Sequence, residues 1–383
     1  MTLSMEHDQA AIRLLQDLVS TPSINGTEGE LVLARRIAAY LQEAGLDVQL
    51  RVLDDKRANV VASMPGRTDQ GQIVWNGHLD TVALGEASAW SKGYAKAEIC
   101  GERLYGRGSS DMKAGLAAML FCLASWARKG HLPRLPIFFC ATCDEERNGQ
   151  GAEELLDLPT IREADMFLIS EPTALDVCFA EKGCLRVQVQ VYGKTSHAAY
   201  ADQGINAVDY AIEFARIIQF GLAQSSHPLL GPSTAVITGI QAGTACNMVP
   251  DFADMLLDLR LVPGIAYSAL QDMLEAAKDK LVSSTDGHLR IDLDLQNHRE
   301  PIQLEDDNTW GKKILLASQE LGLASAPCGI NFFSDASVFR RVNKRAEMVL
   351  CGPGEPKMAH QPNEYVEIAK YLQYIDLLQT LFN

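Results

Sequence analysis

The chain has 383 residues, more than one hydrophobic core usually organises, so two domains are the starting expectation. Its 34 Lys and Arg against 49 Asp and Glu leave a net charge of −15. With no basic surplus to neutralise phosphates, neither nucleic acid nor an anionic membrane is an expected partner.

Composition is that of an ordinary globular protein, 47% hydrophobic and 22% charged. The first residues, MTLSMEHDQA, lack the basic-then-apolar pattern of a secretory signal, and no apolar run reaches membrane-spanning length. Nine cysteines are scattered along the chain, several inside apolar runs such as Phe138-Phe139-Cys140. A lone pair such as Cys140 and Cys143 cannot make a four-ligand zinc site. The expectation is reduced core thiols in a cytoplasmic protein.

In chain order, residues 6–19 read as a helix with Leu14, Leu15, Leu18 and Val19 on one side. A second helix is expected from a capping box, Thr27-x-x-Glu30, through Leu33, Ile37 and Leu41 to a stop at Gly45. Short strands follow at 47–53, 58–63 and 72–76, then a helix at 111–129 ending at Gly130. A strand at 136–141, a helix near 151–157 and a strand at 165–170 continue the alternation. Apolar strands alternating with helices predict a largely parallel sheet.

The texture changes near residue 183. Residues 184–192, CLRVQVQVY, alternate cleanly, and so does the strand at 252–261. With helices at 205–220 and 267–282 and strands at 234–240 and 289–295, the order is βαββαβ, the ferredoxin-like split motif. A helix at 308–321, a strand at 346–351 and a helix at 364–381 return to the earlier pattern. The expected fold is therefore α/β: a mixed, mostly parallel sheet flanked by helices at 1–182 and 297–383, with a βαββαβ domain inserted at 183–296.

Ligand-type residues collect at the ends of the predicted strands. In WNGHLDTV, His78 and Asp80 follow the strand at 72–76. Residues i and i+2 of extended chain face the same way, so the carboxylate can fix the imidazole tautomer and leave the other nitrogen for a metal. The plain alternative is a polar turn. Asp111 opens a helix in GRGSSDMKAG, Asp144-Glu145-Glu146 follow the strand at 136–141, Glu171 follows 165–170, and His360 follows 346–351. Sites in open α/β sheets form at carboxyl strand ends. Two histidines with Asp111, Glu146 and Glu171 can hold two divalent metals, one carboxylate bridging them. Glu145, pointing elsewhere, is then a general base. Competing motifs fail: GRGSSD lacks the third glycine of a dinucleotide fingerprint, and no P-loop, HExxH or GxSxG occurs.

In motif order, GHLDTV, LYGRGSSDMKAG, ATCDEE, SEPT, GKTSHAA, GINA, NMVPD, LDLR, SDASVF and AHQPNEYV make this chain resemble the di-zinc metallopeptidase and deacylase family. That family includes acetylornithine deacetylase, succinyl-diaminopimelate desuccinylase, aminoacylase and glutamate carboxypeptidase. The resemblance implies that His78, Asp111 and Glu171 bind one metal while Asp111, Glu146 and His360 bind the other. Zinc is the first expectation, with cobalt or manganese as alternatives.

It further implies that Asp80 orients His78, that Glu145 is the base, and that the inserted domain is a lid through which a homodimer forms. His197 would reach the partner subunit's site to stabilise the oxyanion. Asn247 and Arg260 would bind substrate carboxylate or carbonyl, and Ser334 and Gly354 would line the pocket, with Asp335 beside them. The implied reaction is hydrolysis of a small N-acyl amino acid or dipeptide amide. The AHQPNEY ending is nearer acetylornithine deacetylases than succinyl-diaminopimelate desuccinylases. A metal-binding scaffold without turnover is the non-enzyme alternative.

Overall fold

The structure is a computed structural model that describes residues 2–68, 71–94, 96–304 and 308–383. Internal contacts divide the chain into two units. One comprises Met1–Phe179, Leu304–Cys328 and Ser334–Asn383; the other comprises Ala180–Gln303 and Gly329–Phe333. The second unit thus runs slightly wider than 183–296 and takes in five later residues.

At the heart of the first unit lie four parallel strands, side by side in the order Ile137–Thr142, Ile73–His78, Met166–Ile169, Glu347–Leu350. Their near-continuous apolar runs are buried on both faces, which is what a parallel sheet covered by helices requires. Antiparallel strands at Ala58–Met64 and Asp47–Val52 extend one side, and Val177–Glu181 the other. The sheet is therefore mixed, with its parallel part central.

The covering helices are Thr2–Val19, Gly29–Glu43, Lys113–Lys129, Trp310–Glu320 and Ile368–Phe382. The 113–129 helix is buried from Lys113 through Ala124, so its sequence is apolar all round and not striped. Gly130, in the left-handed region, ends it. Trp75 anchors the core between Trp126 and Phe382, with ring centroids 5.8 and 5.1 Å away.

Three expectations need correction. The first helix begins at Thr2, four residues before the expected start. The region expected as one helix at 151–157 is two short helices, Gln150–Glu154 and Pro159–Arg162. The capping box does not close: Glu28 sits at the helix start without a side-chain cap bond. Thr27 Oγ donates to the carbonyl of Ile24, and Glu30 turns inward, fully buried. Strands at Glu98–Cys100, Arg103–Tyr105 and Tyr365–Glu367 form a small antiparallel sheet with no counterpart in the sequence reading.

The second unit has four antiparallel strands in the order Thr234–Ala242, Phe252–Leu261, Gly183–Tyr192, Arg290–Arg299. Helices Ala207–Leu222 and Tyr267–Ser283 cover one face. Leu185, Val187, Val189 and Val191 alternate into a core shared with Phe214, Ile218, Leu270 and Leu274. Val236 and Ile240, on the edge strand, are 53% and 44% exposed. Among the described residues no helix is long and apolar enough to cross a membrane.

Candidate metal centre

All four central strands point their carboxyl ends toward the same edge of the sheet, and each hands on to a loop with ligand-type side chains. His78 is the last residue of its strand. Glu145 and Glu146 lie three and four residues beyond Thr142, Glu171 two beyond Ile169, and His360 ten beyond Leu350. Asp111 arrives from the loop before the 113–129 helix.

Ligand atoms of His78, Asp111 and Glu146 lie within 4.8 Å of one another. His78 Nε2 is 3.1 Å from Asp111 Oδ1, while His360 Nε2 is 3.4 Å from Asp111 Oδ2 and 3.0 Å from Glu146 Oε2. The two oxygens of one carboxylate thus face two different imidazoles. Nitrogen and oxygen donors without thiolate suit zinc, cobalt or manganese, so these residues fit a divalent metal pair.

The link between His78 and Asp80 differs from the expected one. His78 Nδ1 donates to the backbone carbonyl of Asp80 at 2.8 Å, while the Asp80 carboxylate stands 3.8 Å from that nitrogen. The strand has ended at His78, so the alternation that would aim the carboxylate at the ring no longer applies. The tautomer is still fixed, with Nε2 turned toward Asp111. Asp80's carboxylate instead accepts the backbone N–H of Glu145 on Oδ1 and of Glu146 on Oδ2, at 3.1 and 3.0 Å.

That turn is held at every step. Cys143 N–H donates to Asn59 Oδ1 at 3.1 Å and Asp144 N–H to Glu30 Oε2 at 3.0 Å. Asn25 Nδ2 bridges Asp80 Oδ2 at 2.8 Å and Asp144 Oδ1 at 3.1 Å. Asp144 itself has φ +61°, uncommon for a residue other than glycine.

A second buried carboxylate, Glu364, organises the other loop. It accepts the N–H groups of Gly108, Ser110 and Asp111 at 2.8–3.0 Å and pairs with Arg107 at 2.8 Å. Sequence reading missed Asn25, Glu30, Asn59 and Glu364 as site-builders. Of these only Glu364 carried a signal, an acid four residues after His360.

Concentrated charge shows in the titration of these groups. Burial pushes Glu145 and Glu171 well above the usual carboxylate range, and each is raised further by the other acids around it. Glu146 is raised by burial and Asp111. Burial disfavours the Asp111 anion, but hydrogen bonds from His360 and His78 outweigh it and hold that carboxyl below its ordinary value. His360 rises to about 10 through its bonds to Asp111 and Glu146. His78 is raised despite burial, because Asp111 and Glu171 face it. Excess negative charge of this kind calls for cations.

The remaining expected residues fall as follows. Gly354 lies against Asp111's neighbour: a Cβ there would meet Ser110 O at 2.1 Å. Ser334 is fully buried, and its Oγ accepts the Ala336 N–H at 3.2 Å. Asp335 accepts from Thr142 Oγ at 2.5 Å and adds to the charge facing Glu145.

In the second unit His197 is exposed, its Nδ1 accepting the Ala199 N–H at 3.0 Å. Asn247 lies beside it, its carbonyl accepting the Ala198 N–H at 2.9 Å. Arg260 donates to Asp258 at 2.7 Å and stacks over Phe333, 5.3 Å from the ring centroid.

Residues 74–383 match the peptidase family M20/M25/M40. A probable succinyl-diaminopimelate desuccinylase of Staphylococcus aureus strain MSSA476 is 28% identical, the match covering 97% of this chain and 96% of that protein. An acetylornithine deacetylase of Photorhabdus laumondii is also 28% identical, over 94% and 92%. A tripeptidase crystal structure from Staphylococcus aureus has the same fold, with a TM-score of 0.80 at 20% identity over 98% of this chain and 97% of that one. With the family match covering most of its length and a cluster of nitrogen and oxygen donors at its sheet edge, the chain belongs to the M20/M25/M40 peptidases and is a metal-dependent hydrolase of amide bonds.

Proposed function

We propose that the protein removes the acyl group from a small N-acyl amino acid, in the manner of an acetylornithine deacetylase. The observation that carries a two-ion reading is Asp111, whose two oxygens face His78 on one side and His360 on the other. His78, Asp111 and Glu171 hold one ion, and Asp111, Glu146 and His360 the other. When bound, the ions supply Lewis acidity to the scissile carbonyl and the attacking water.

Glu145 then takes a proton from that water and delivers it to the leaving amine nitrogen. Burial and the neighbouring acids raise its carboxyl, which makes the ionised form a stronger base. Asp80 positions Glu145 and Glu146 through their backbone N–H groups. Asn247 and Arg260 bind substrate carboxylate, and His197 of a second copy donates to the oxyanion across a homodimer formed by the βαββαβ unit. Gly354 and Ser334 shape the pocket wall.

Relatives named as desuccinylases match this chain as well as the deacetylase does, so an N-succinyl substrate is the second reading. The deciding experiment measures kcat/KM on matched N-acetyl and N-succinyl amino acids and on dipeptides, with zinc, cobalt or manganese added to metal-free protein. Deacylation of N-acetyl substrates at least tenfold faster than the others supports the proposal. Preference for succinyl substrates selects the second reading, and preference for dipeptides overturns both.

A further inference from the structure

We infer that Glu30 and Asn25, from the segment before the region that matches the family, are positioning residues for the Glu145–Glu146 turn. Four successive backbone N–H groups, those of residues 143 to 146, each donate to a side-chain oxygen from elsewhere in the chain. Asp80 holds the last two, Glu30 the second and Asn59 the first. Glu30's other oxygen accepts the Gly26 N–H at 2.7 Å, so this one carboxylate ties the start of the 29–43 helix to the turn. Asn25 spans the gap between the Asp80 and Asp144 carboxylates, and Arg57 Nη1 approaches Asp144 at 3.3 Å.

The chemistry explains why such a clamp is needed. Two neighbouring glutamates have to diverge, one to a metal and one to the reacting water, which is a demand on backbone direction more than on side-chain identity. Asp144 meets that demand with a positive φ, a conformation that persists only where its surroundings over-determine it. A carboxylate can accept two N–H groups at once, whereas an amide has one accepting oxygen and would turn its NH2 toward the other donor. Burial and the nearby Asp80 disfavour the Glu30 anion, while its two N–H partners favour it. A carboxyl kept in so unfavourable a place is doing something an apolar residue of the same size could not.

This inference rests on Glu145 and Glu146 acting as proposed above, and the test separates the two. Glu30→Gln and Asn25→Ala are prepared as full-length protein. Zinc affinity is read by competition with a chromophoric chelator, the cobalt-loaded protein by its visible spectrum, and kcat and KM at saturating metal on the best N-acyl amino acid. Outer hydrogen bonds to metal ligands are typically worth about 10–100-fold in metal affinity or activity.

Glu30→Gln is expected to weaken one zinc ion by that order, shift the cobalt bands and lower kcat about 10–100-fold at unchanged KM. Asn25→Ala, at a half-buried position, should move the same readouts in the same direction. Wild-type zinc affinity, spectrum and kcat in both variants, or a lower Tm as the sole change, overturns the inference. If Glu30→Gln fails to fold, Asn25→Ala decides alone. If wild-type protein turns over no N-acyl amino acid, the functional proposal fails while the zinc and cobalt readouts still judge Glu30.

Discussion

At the scale of single residues, the two adjacent glutamates offer the sharpest separation of roles. Glu145→Gln keeps shape but cannot accept a proton, so turnover is expected to fall about 10²–10⁴-fold with two ions still bound. Glu146→Gln is expected to lose affinity for one ion, read by metal content after dialysis. An empty site in Glu145→Gln would show the two roles to be reversed. Titration makes a second prediction, for protein stripped of metal. Glu30, Glu145 and Glu171 have raised folded-state values, so ionising them costs stability as pH climbs past about 4.5, their ordinary value. His78 and His360 are also raised, and their stabilisation, complete below about 6.5, is lost as pH rises toward their folded values, about 10 for His360. Asp111, lowered, already contributes fully above its ordinary value, and Lys113, pulled down to about 7 by burial, opposes the trend only above that pH. The Tm of metal-free protein should therefore fall from pH 5 to 7, while metal affinity rises because ligand histidines must shed protons. A metal-free Tm that climbs over this range contradicts the electrostatic picture. Which residues gather at the centre was legible in the sequence, because ligand types recur at strand ends. Which atom of Asp80 meets His78 was not, because that depends on where the strand stops.

At the scale of elements, the helices and central strands were legible because each carries an unbroken period or apolar run. The three-residue strands of the small sheet were not, since three residues display no alternation. The capping box failed for a different reason: the helix starts at Gly29, so Glu30 falls in its first turn and divides its carboxylate between the Gly26 and Asp144 N–H groups. The seat of the 113–129 helix was likewise invisible beforehand. A Cβ on Gly115 would meet Ser170 O at 2.2 Å, one residue before Glu171, so the helix rests directly on the backbone of a site loop. Gly115→Ala is expected to cost about 1–3 kcal/mol as overpacking, despite alanine's better helix propensity. Chemical denaturation would show it as a lower midpoint; an unchanged midpoint would mean the helix can slide without loss.

At the scale of the whole molecule, the change in strand texture near residue 183 lies close to the second unit's start at Ala180, while the return of residues 329–333 to that unit leaves no mark in the sequence. Those five residues have too little pattern to reveal which core they join. The outer strand of the second unit, Thr234–Ala242, leaves one edge unpaired among the described strands, and a second copy in two-fold symmetry would satisfy it. The proposed homodimer has a testable signature in mixed subunits. His197→Ala and Glu145→Gln chains are each expected to be nearly inactive alone. Mixed and re-paired at random, half the dimers carry one of each, and one of their two sites is complete. Activity should return to about a quarter of wild type. Demonstrated subunit exchange without recovery would place His197 within its own chain's chemistry or outside catalysis.

The four captured N–H groups of residues 143–146 also set how that turn meets solvent. Turns and loops normally trade amide hydrogens for deuterium quickly, because small openings expose them. Here each hydrogen is locked to an oxygen of Asn59, Glu30 or Asp80, all three side chains buried. Exchange therefore requires a buried anchor to let go at each amide, and the segment should label as slowly as the central strands beside it. In a protein without regular structure at this point, slow labelling of the turn would mark the place where rigidity is spent on catalysis.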